Sequence, residues 1–156
     1  MPTSTRFAVA IHILSNIAMH PGQAVRSEDI ARSVNTNPTV VRRILSTLAD
    51  VGLTHAQMGQ GGGNLLAKPA NKITLLDIYQ AVEEPQFFAL HRSKPNPACY
   101  IGHNITPVLE EEFDRITKAL EHSLAKTTLA DIVKNVETCA GFPFVPKSHG
   151  DATKSL

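Results

Sequence analysis

Two adjacent arginines, Arg42 and Arg43, sit in a segment whose apolar residues Val41, Ile44, Leu45 and Leu48 recur at helical spacing. That period gathers Thr39, Arg42, Arg43 and Ser46 on the opposite, polar face. A guanidinium donates in a fork that suits guanine edges and phosphates, and the N-terminal residues of a helix lying in a major groove reach the bases. Further along, Gln57, Gln60 and Asn64 accompany the cluster Gly59-Gln60-Gly61-Gly62-Gly63. Amide side chains there could hydrogen-bond in or beside a minor groove. The glycines permit positive φ and close approach to a phosphate backbone. Arg26 and Ser27 stand before the segment, and Arg6 and Arg26 are further candidate phosphate anchors. The chemistry expected of these residues is recognition of double-stranded DNA; the plainer alternatives are a solvated helix face and a flexible loop with no ligand. Nucleotide binding is not expected, because the glycine cluster lacks the P-loop lysine and Ser/Thr and opens no helix. The sequence contains no Ser-His-Asp arrangement, paired carboxylates or cofactor motif, so an enzyme is not expected either.

Cys99 and His103 have the spacing C-x-x-x-H. A zinc site needs two further ligands, and none is evident. The plainer reading is an inert, partly buried thiol, and the alternative is an accessible redox thiol in a polar loop. Cys139 has no recognisable partner, and no two of the seven histidines have a convincing metal spacing. The expectation is no metal and no cofactor.

These side chains need elements to position them. Ser27 is placed to cap a helix running to Val34. Asn37 is placed to cap the arginine-bearing helix, with Pro38 at its first position, where a missing N–H is harmless. The short link from Val34 to Asn37 suits a helix-turn-helix. Leu53 to Met58 and Asn64 to Lys68 read as two strands forming a wing. A first helix spans about Ser4 to His20, with Phe7, Ile11, Leu14 and Ala18 in its stripe and Ala8 and Ile17 widening it. Thr74-Leu75-Leu76-Asp77 resembles a capping box and starts a helix through Val82. Residues 83–104 show no period and hold Pro85, Pro95 and Pro97, so they read as a linker. Thr106-Pro107 then starts the longest helix, whose stripe is Leu109, Phe113, Ile116, Leu120 and Leu124, a face suited to a partner helix. Thr128 to Asp131 is a second cap-like start, and a poorly structured tail follows Ala140.

The organisation expected is a winged helix-turn-helix DNA-binding domain over 1–83, a linker or sensor loop over 84–104, dimerisation helices over 105–140 and a flexible tail over 141–156. The fold class is mostly α with a small β-hairpin wing and a long C-terminal dimerisation helix. The length of 156 residues accommodates this, and the 42 % hydrophobic content is ordinary for a globular chain. The net charge of +1 hides an asymmetry. Residues 1–73 carry seven Lys/Arg against three Asp/Glu, and residues 74–156 carry eight against eleven. The basic half is the half that would meet phosphates. Neither a leader peptide nor an apolar run of about 20 residues is evident, and two cysteines make no secreted disulfide framework. A cytoplasmic protein without a membrane partner is expected.

Four segments carry a family resemblance: Ser27-Glu28-Asp29-Ile30-Ala31, Arg43-Ile44-Leu45-Ser46-Thr47-Leu48, the Gly59–Gly63 wing with Leu66-Ala67, and Ile73-Thr74-Leu75-Leu76-Asp77-Ile78-Tyr79-Gln80-Ala81-Val82. Through them, over roughly residues 5–135, the chain resembles the Rrf-type winged-helix transcription regulators, the family of IscR, NsrR and CymR. Pro95-Asn96-Pro97-Ala98-Cys99 and the long helix after it are similar to the clusterless YwnA-like subgroup. The resemblance implies a homodimer joined through the long C-terminal helix and a palindromic operator. Cluster-binding members place three cysteines before the dimerisation helix, whereas residues 84–104 contain only Cys99. A cluster needs several thiolates, so none is expected. Met58 stands where the family often has arginine, Asn64-Leu65 replace a common Tyr-Arg pair, and Val40-Val41-Arg42 replace Tyr-Leu-Glu. The base-reading residues of other members therefore do not carry over.

The function expected is a homodimeric, cluster-free repressor of transcription. Two alternatives stand beside it: a thiol-based redox regulator acting through Cys99, and a winged-helix adaptor that has lost DNA binding. The signal, a small molecule or a redox change, is open.

Overall fold

The computed structural model describes residues 4–84 and 86–146. The chain runs as α1 (Arg6–Ala18), α2 (Ser27–Val34), α3 (Pro38–Asp50), β1 (Thr54–Gln57), β2 (Gly63–Leu66), a 3-10 turn (Ala70–Lys72), α4 (Leu75–Val82), α5 (Tyr100–Ala125) and α6 (Leu129–Ala140). This is a winged helix-turn-helix with a long helix appended.

Helix α1 is the central post, packed against α2, α3, α4, α6 and β2. Its buried apolar residues are Ala10, Ile13, Leu14 and Ile17, joined in one core with Ile30, Val41, Leu45, Leu48, Ile73, Ile78 and Leu129. The expected stripe was displaced: Phe7, Ile11 and Ala18 are only partly buried, and Ala8 is exposed. Neighbours on several sides, rather than the widest apolar arc, decide which residues lose contact with water. The helix also begins later than expected, at Arg6, and Thr5 gives it no side-chain cap. Glu83, at the far end of α4, does that instead. Its Oε1 accepts from the Phe7 N–H at 3.1 Å and from the Ser4 hydroxyl at 2.6 Å, a carboxylate at the positive end of the helix dipole.

Asn37 caps α3 as expected, accepting from the Thr39 N–H at 2.8 Å, with Pro38 following. Ser27 does not cap α2. It is the first helical residue, after an extended Arg26 that offers no side-chain bond. The turn between the helices closes through Asn35 in the left-handed region, φ 60°. Asparagine tolerates that conformation. The Thr36 N–H then returns to the Ala31 carbonyl at 3.0 Å. All four expected apolar residues of α3 are buried.

The wing strands are shorter than expected, four residues each, paired antiparallel from Thr54↔Leu66 to Gln57↔Gly63. The tip turns through Gly59 and Gly61 at φ 90° and 72°, which side chains other than glycine rarely adopt. The other edge of β2 meets the segment before α2: Val25 and Asn64 exchange backbone bonds at 3.0 and 2.8 Å. This ties the wing to the helix-turn-helix.

Thr74 and Asp77 form a reciprocal capping box on α4, and Thr128 and Asp131 form another on α6. The long helix departs from expectation. It begins at Tyr100, so Pro107 lies inside it and the linker ends at Cys99. Asn96 sets the early start. Its Oδ1 accepts from the Ala98 N–H at 2.9 Å and its carbonyl from the Cys99 N–H at 3.2 Å. The loop then crosses the first turn so closely that a Cβ on Gly102 would lie 2.3 Å from the Asn96 carbonyl oxygen. A proline most often marks a first helical position, which is why the sequence points to Pro107. Here the helix accepts an interior proline and forgoes one bond.

Helix α6 returns to the N-terminal body, although the sequence groups it with α5 in one 105–140 unit. Leu129 is fully buried, its N–H bonds the Ile73 carbonyl at 2.8 Å, and the Leu75 N–H bonds the Thr127 carbonyl at 2.9 Å. The expected flexible tail is ordered at its start. Gly141 caps α6 at φ 79°, and the Phe144 ring meets His20 edge-on at 5.0 Å. Residues 147–156 of that tail lie outside the described residues. Among the described residues, no helix is long and apolar enough to cross a membrane.

Candidate nucleic-acid interface

The outer face of α3 presents Thr39, Arg42, Arg43 and Ser46 to solvent, opposite a face that is wholly buried. Helix propensity cannot hold a helix this short in water, so the buried side fixes the orientation of the exposed one. Val40, unremarked for this role in the sequence, is also 42 % exposed in the first turn of α3.

Arg42 is not free. Its Nη2 donates to Glu28 Oε1, while Arg26 Nε lies 4.0 Å from Oε2 of the same carboxylate. Arg32 pairs with Asp29, one turn back on α2. The Glu28 carboxyl is held below the usual carboxylate range, first by its own backbone N–H, which desolvation opposes, and then by Arg42 and Arg26. Arg43 is exposed and has no ion pair among the described residues. Sequence reasoning singled out both arginines but missed Glu28. Nothing in its spacing signals a contact with a residue fourteen positions away.

Gln57 and Gln60 are exposed beside the wing tip, together with Met58, which is 88 % exposed. Asn64 stands apart. It is half-buried and its Nδ2 donates to the Val25 carbonyl at 3.2 Å. Ser27 is half-buried at the start of α2, and Arg26 is exposed. Arg6 is not among them: it lines a hollow with Ser4, Tyr79, Glu83 and Phe87 between the ends of α1 and α4.

Helix α5 has no buried residue. Leu109, Phe113 and Leu124 are half-exposed, and Ile116 and Leu120 are 36 % and 37 % exposed. Phe113 packs against Phe88 of the linker at 5.1 Å, and Phe87 stacks on Tyr79 of α4 at 4.8 Å. Cys99 stands immediately before α5 and is exposed, which corrects the expectation of a partly buried thiol. His91, Lys94 and His103 line a hollow of about 450 Å³ nearby. Among the described residues, no group of three His, Cys, Asp or Glu side chains could hold a metal ion.

The family described as Rrf2, iron-dependent transcriptional regulator, matches residues 3–135. The chain is 42 % identical to YwnA of Bacillus subtilis, named as an HTH-type transcriptional regulator, over 134 residues, which cover 85 % of this chain and 98 % of that one. Its fold is that of CymR of B. subtilis, titled the global cysteine regulator (TM-score 0.67, 24 % identity, 86 % of this chain and 98 % of that one). It is also that of IscR of T. potens (TM-score 0.68, 21 % identity, 96 % and 95 %). Iron bound as a cluster would need donors from this chain. The whole sequence has two cysteines, Cys99 on the linker side of α5 and Cys139 on α6. An iron–sulfur cluster takes several thiolates, so this donor set does not fit one.

Proposed function

This chain belongs to the Rrf2 family of transcriptional regulators, and from that premise we propose that it represses transcription by binding a palindromic operator as a cluster-free homodimer in the cytoplasm. The observation that carries the DNA-binding part is the exposed Thr39–Arg42–Arg43 face of α3 beside a glycine-tipped wing, backed by a fully buried face. Arg42 and Arg43 address base edges or phosphates at the major groove, Gln57 and Gln60 the flanking groove, and Arg26, Ser27 and the capped start of α3 at Asn37 the phosphates. Asn64 contributes through its hold on Val25. The dimer is supported by α5, whose apolar stripe is only partly covered, by Phe88 and α4, among the described residues. A two-fold dimer joined there presents two α3 helices and so matches a two-fold operator.

The test is selection of bound duplexes from a random library, followed by affinity measurements across salt. A regulator selects one sequence class, with a steep loss of affinity as salt rises. In Arg42→Ala/Arg43→Ala the affinity falls strongly and the oligomeric state is unchanged. A flat salt response would instead identify a winged-helix adaptor.

A second reading, a thiol switch, is favoured by one observation, the exposed Cys99 at the junction of linker and α5. Oxidation there would add bulk where the body meets the dimer helix. An unidentified small molecule remains the competing signal.

A further inference from the structure

The helix-turn-helix surface carries four arginines, Arg26, Arg32, Arg42 and Arg43, and three carboxylates, Glu28, Asp29 and Asp50, the last at the far end of α3 and in none of the arginine pairs, all on α2, α3 or the residue before α2. They are not distributed evenly. Asp29 answers Arg32 within α2, Glu28 reaches across to Arg42 on α3, and Arg43 has no carboxylate among the described residues. Resting on the DNA-binding reading above, we propose that Glu28 is a positioning residue that fixes Arg42 as a guanine reader, leaving Arg43 to the phosphates.

The geometry gives the argument. A guanidinium has five N–H donors in a rigid plane. Glu28 engages one nitrogen, Nη2, and leaves the other edge able to donate in a fork to O6 and N7 of guanine, the pairing that reads this base. A lone arginine on a helix surface loses side-chain rotamer freedom when it docks, and a buttressing carboxylate lowers that cost. The second oxygen of the carboxylate faces Arg26, whose Nε lies 4.0 Å away. In the free protein the pair is about half exposed, 55 % and 48 % by side chain, and so contributes little to stability. Beside DNA, water is displaced and the same pair strengthens. Arg43, with no such restraint, is suited to the less directional contact with phosphate.

The opposite role is physically possible and has the opposite sign. A carboxylate so close to the duplex also repels phosphates. If Glu28 acted only as a competitor for Arg42, its removal would strengthen binding to every sequence and steepen the salt dependence.

The experiment uses the full chain and the duplex selected from a random library. Three proteins, Glu28→Ala, Arg42→Ala and the double variant, are titrated with that duplex, with an unrelated duplex and with selected duplexes carrying 7-deazaguanine at single positions. The wild-type protein should lose about tenfold at one 7-deazaguanine position in each half-site. Glu28→Ala and Arg42→Ala should each lose about tenfold on the selected duplex and become insensitive at that same position, with the double variant no worse than Arg42→Ala. Affinity for the unrelated duplex should be lowered in Arg42→Ala and unchanged in Glu28→Ala. Glu28→Gln, which keeps an acceptor, should recover part of the loss. Stronger binding of Glu28→Ala to both duplexes, or retained 7-deazaguanine sensitivity at the Arg42 position, overturns the proposal. A wild-type protein that selects no sequence overturns the DNA-binding reading itself, and so separates the two failures.

Discussion

The N-terminal body and helix α5 solve the problem of apolar surface in opposite ways. The body surrounds α1 on several sides and drives Ile13, Leu14, Ile30, Leu48, Ile73, Ile78 and Leu129 to complete or nearly complete burial. Helix α5 is twice as long as α1 or α3 and buries none of its residues fully. Its apolar residues touch α4 and Phe88 and otherwise face water. Side chains of the same kind therefore have two fates: in the body they stabilise one chain, and on α5 they stay accessible to the second chain of the proposed dimer. The α3 face inherits its precision from the first arrangement and, in a dimer, its spacing from the second.

The contrast is broken most severely at the middle of the α5 stripe. Ile116→Asp would place an unpaired charge in the proposed seam. The expected outcome is a folded monomer by sedimentation and circular dichroism, with operator affinity lowered on the order of a thousandfold as two half-sites lose their linkage. An intact dimer would remove α5 from the interface.

Deleting equivalent carbon from each region sharpens the comparison. Leu48→Ala leaves a hole in the closed core and should cost about 2–5 kcal/mol in denaturant unfolding, independent of protein concentration. Leu120→Ala, on a residue 37 % exposed in one chain, should change the unfolding of a dilute sample little and raise the dimer dissociation constant. Equal, concentration-independent losses in the two variants would contradict the division.

Cys99 lies where the regions join. If it is the switch, an oxidant should lower operator affinity and a reductant restore it, and Cys99→Ser should abolish the response while matching the reduced wild-type protein. An undiminished response in Cys99→Ser would move attention to Cys139 or to a ligand.

The smallest effect is in the helix caps. The Thr128 backbone N–H and hydroxyl hold the Asp131 carboxyl below its ordinary range. A depressed carboxyl stabilises the fold above its unfolded value and loses that contribution as pH falls through its folded value. Stability at neutral pH should therefore exceed that in acid by a modest margin, and Asp131→Asn should flatten this part of the profile in thermal scans from pH 7 to pH 2. An unaltered slope would show that the cap does not titrate with folding.

Much of the fold was legible because local rules act within a few residues. Asn37-Pro38, Thr74 to Asp77 and Thr128 to Asp131 each cap a helix where expected, and the period of Val41, Ile44, Leu45 and Leu48 marks the buried side of α3. The rule failed at Ser27, because Arg26 already has the extended backbone of a cap and the serine falls inside the helix. It failed again at Pro107, where a turn around Asn96 starts the helix earlier. At the candidate site, types and face were legible for Thr39, Arg42 and Arg43. Their partners were not.

Composition, period and capping chemistry thus mark most of the helices, the face of α3 that must be hidden and the side chains left exposed on the other face. These depend on neighbours in sequence, whose geometry the backbone imposes. Only the tertiary structure decides that Glu28 holds Arg42, that Asn64 turns toward Val25, that Glu83 caps α1 and that α6 closes the N-terminal body while α5 stays uncovered. Those contacts join residues far apart in the chain, and no local pattern encodes them. Packing all the elements at once brings each pair within reach.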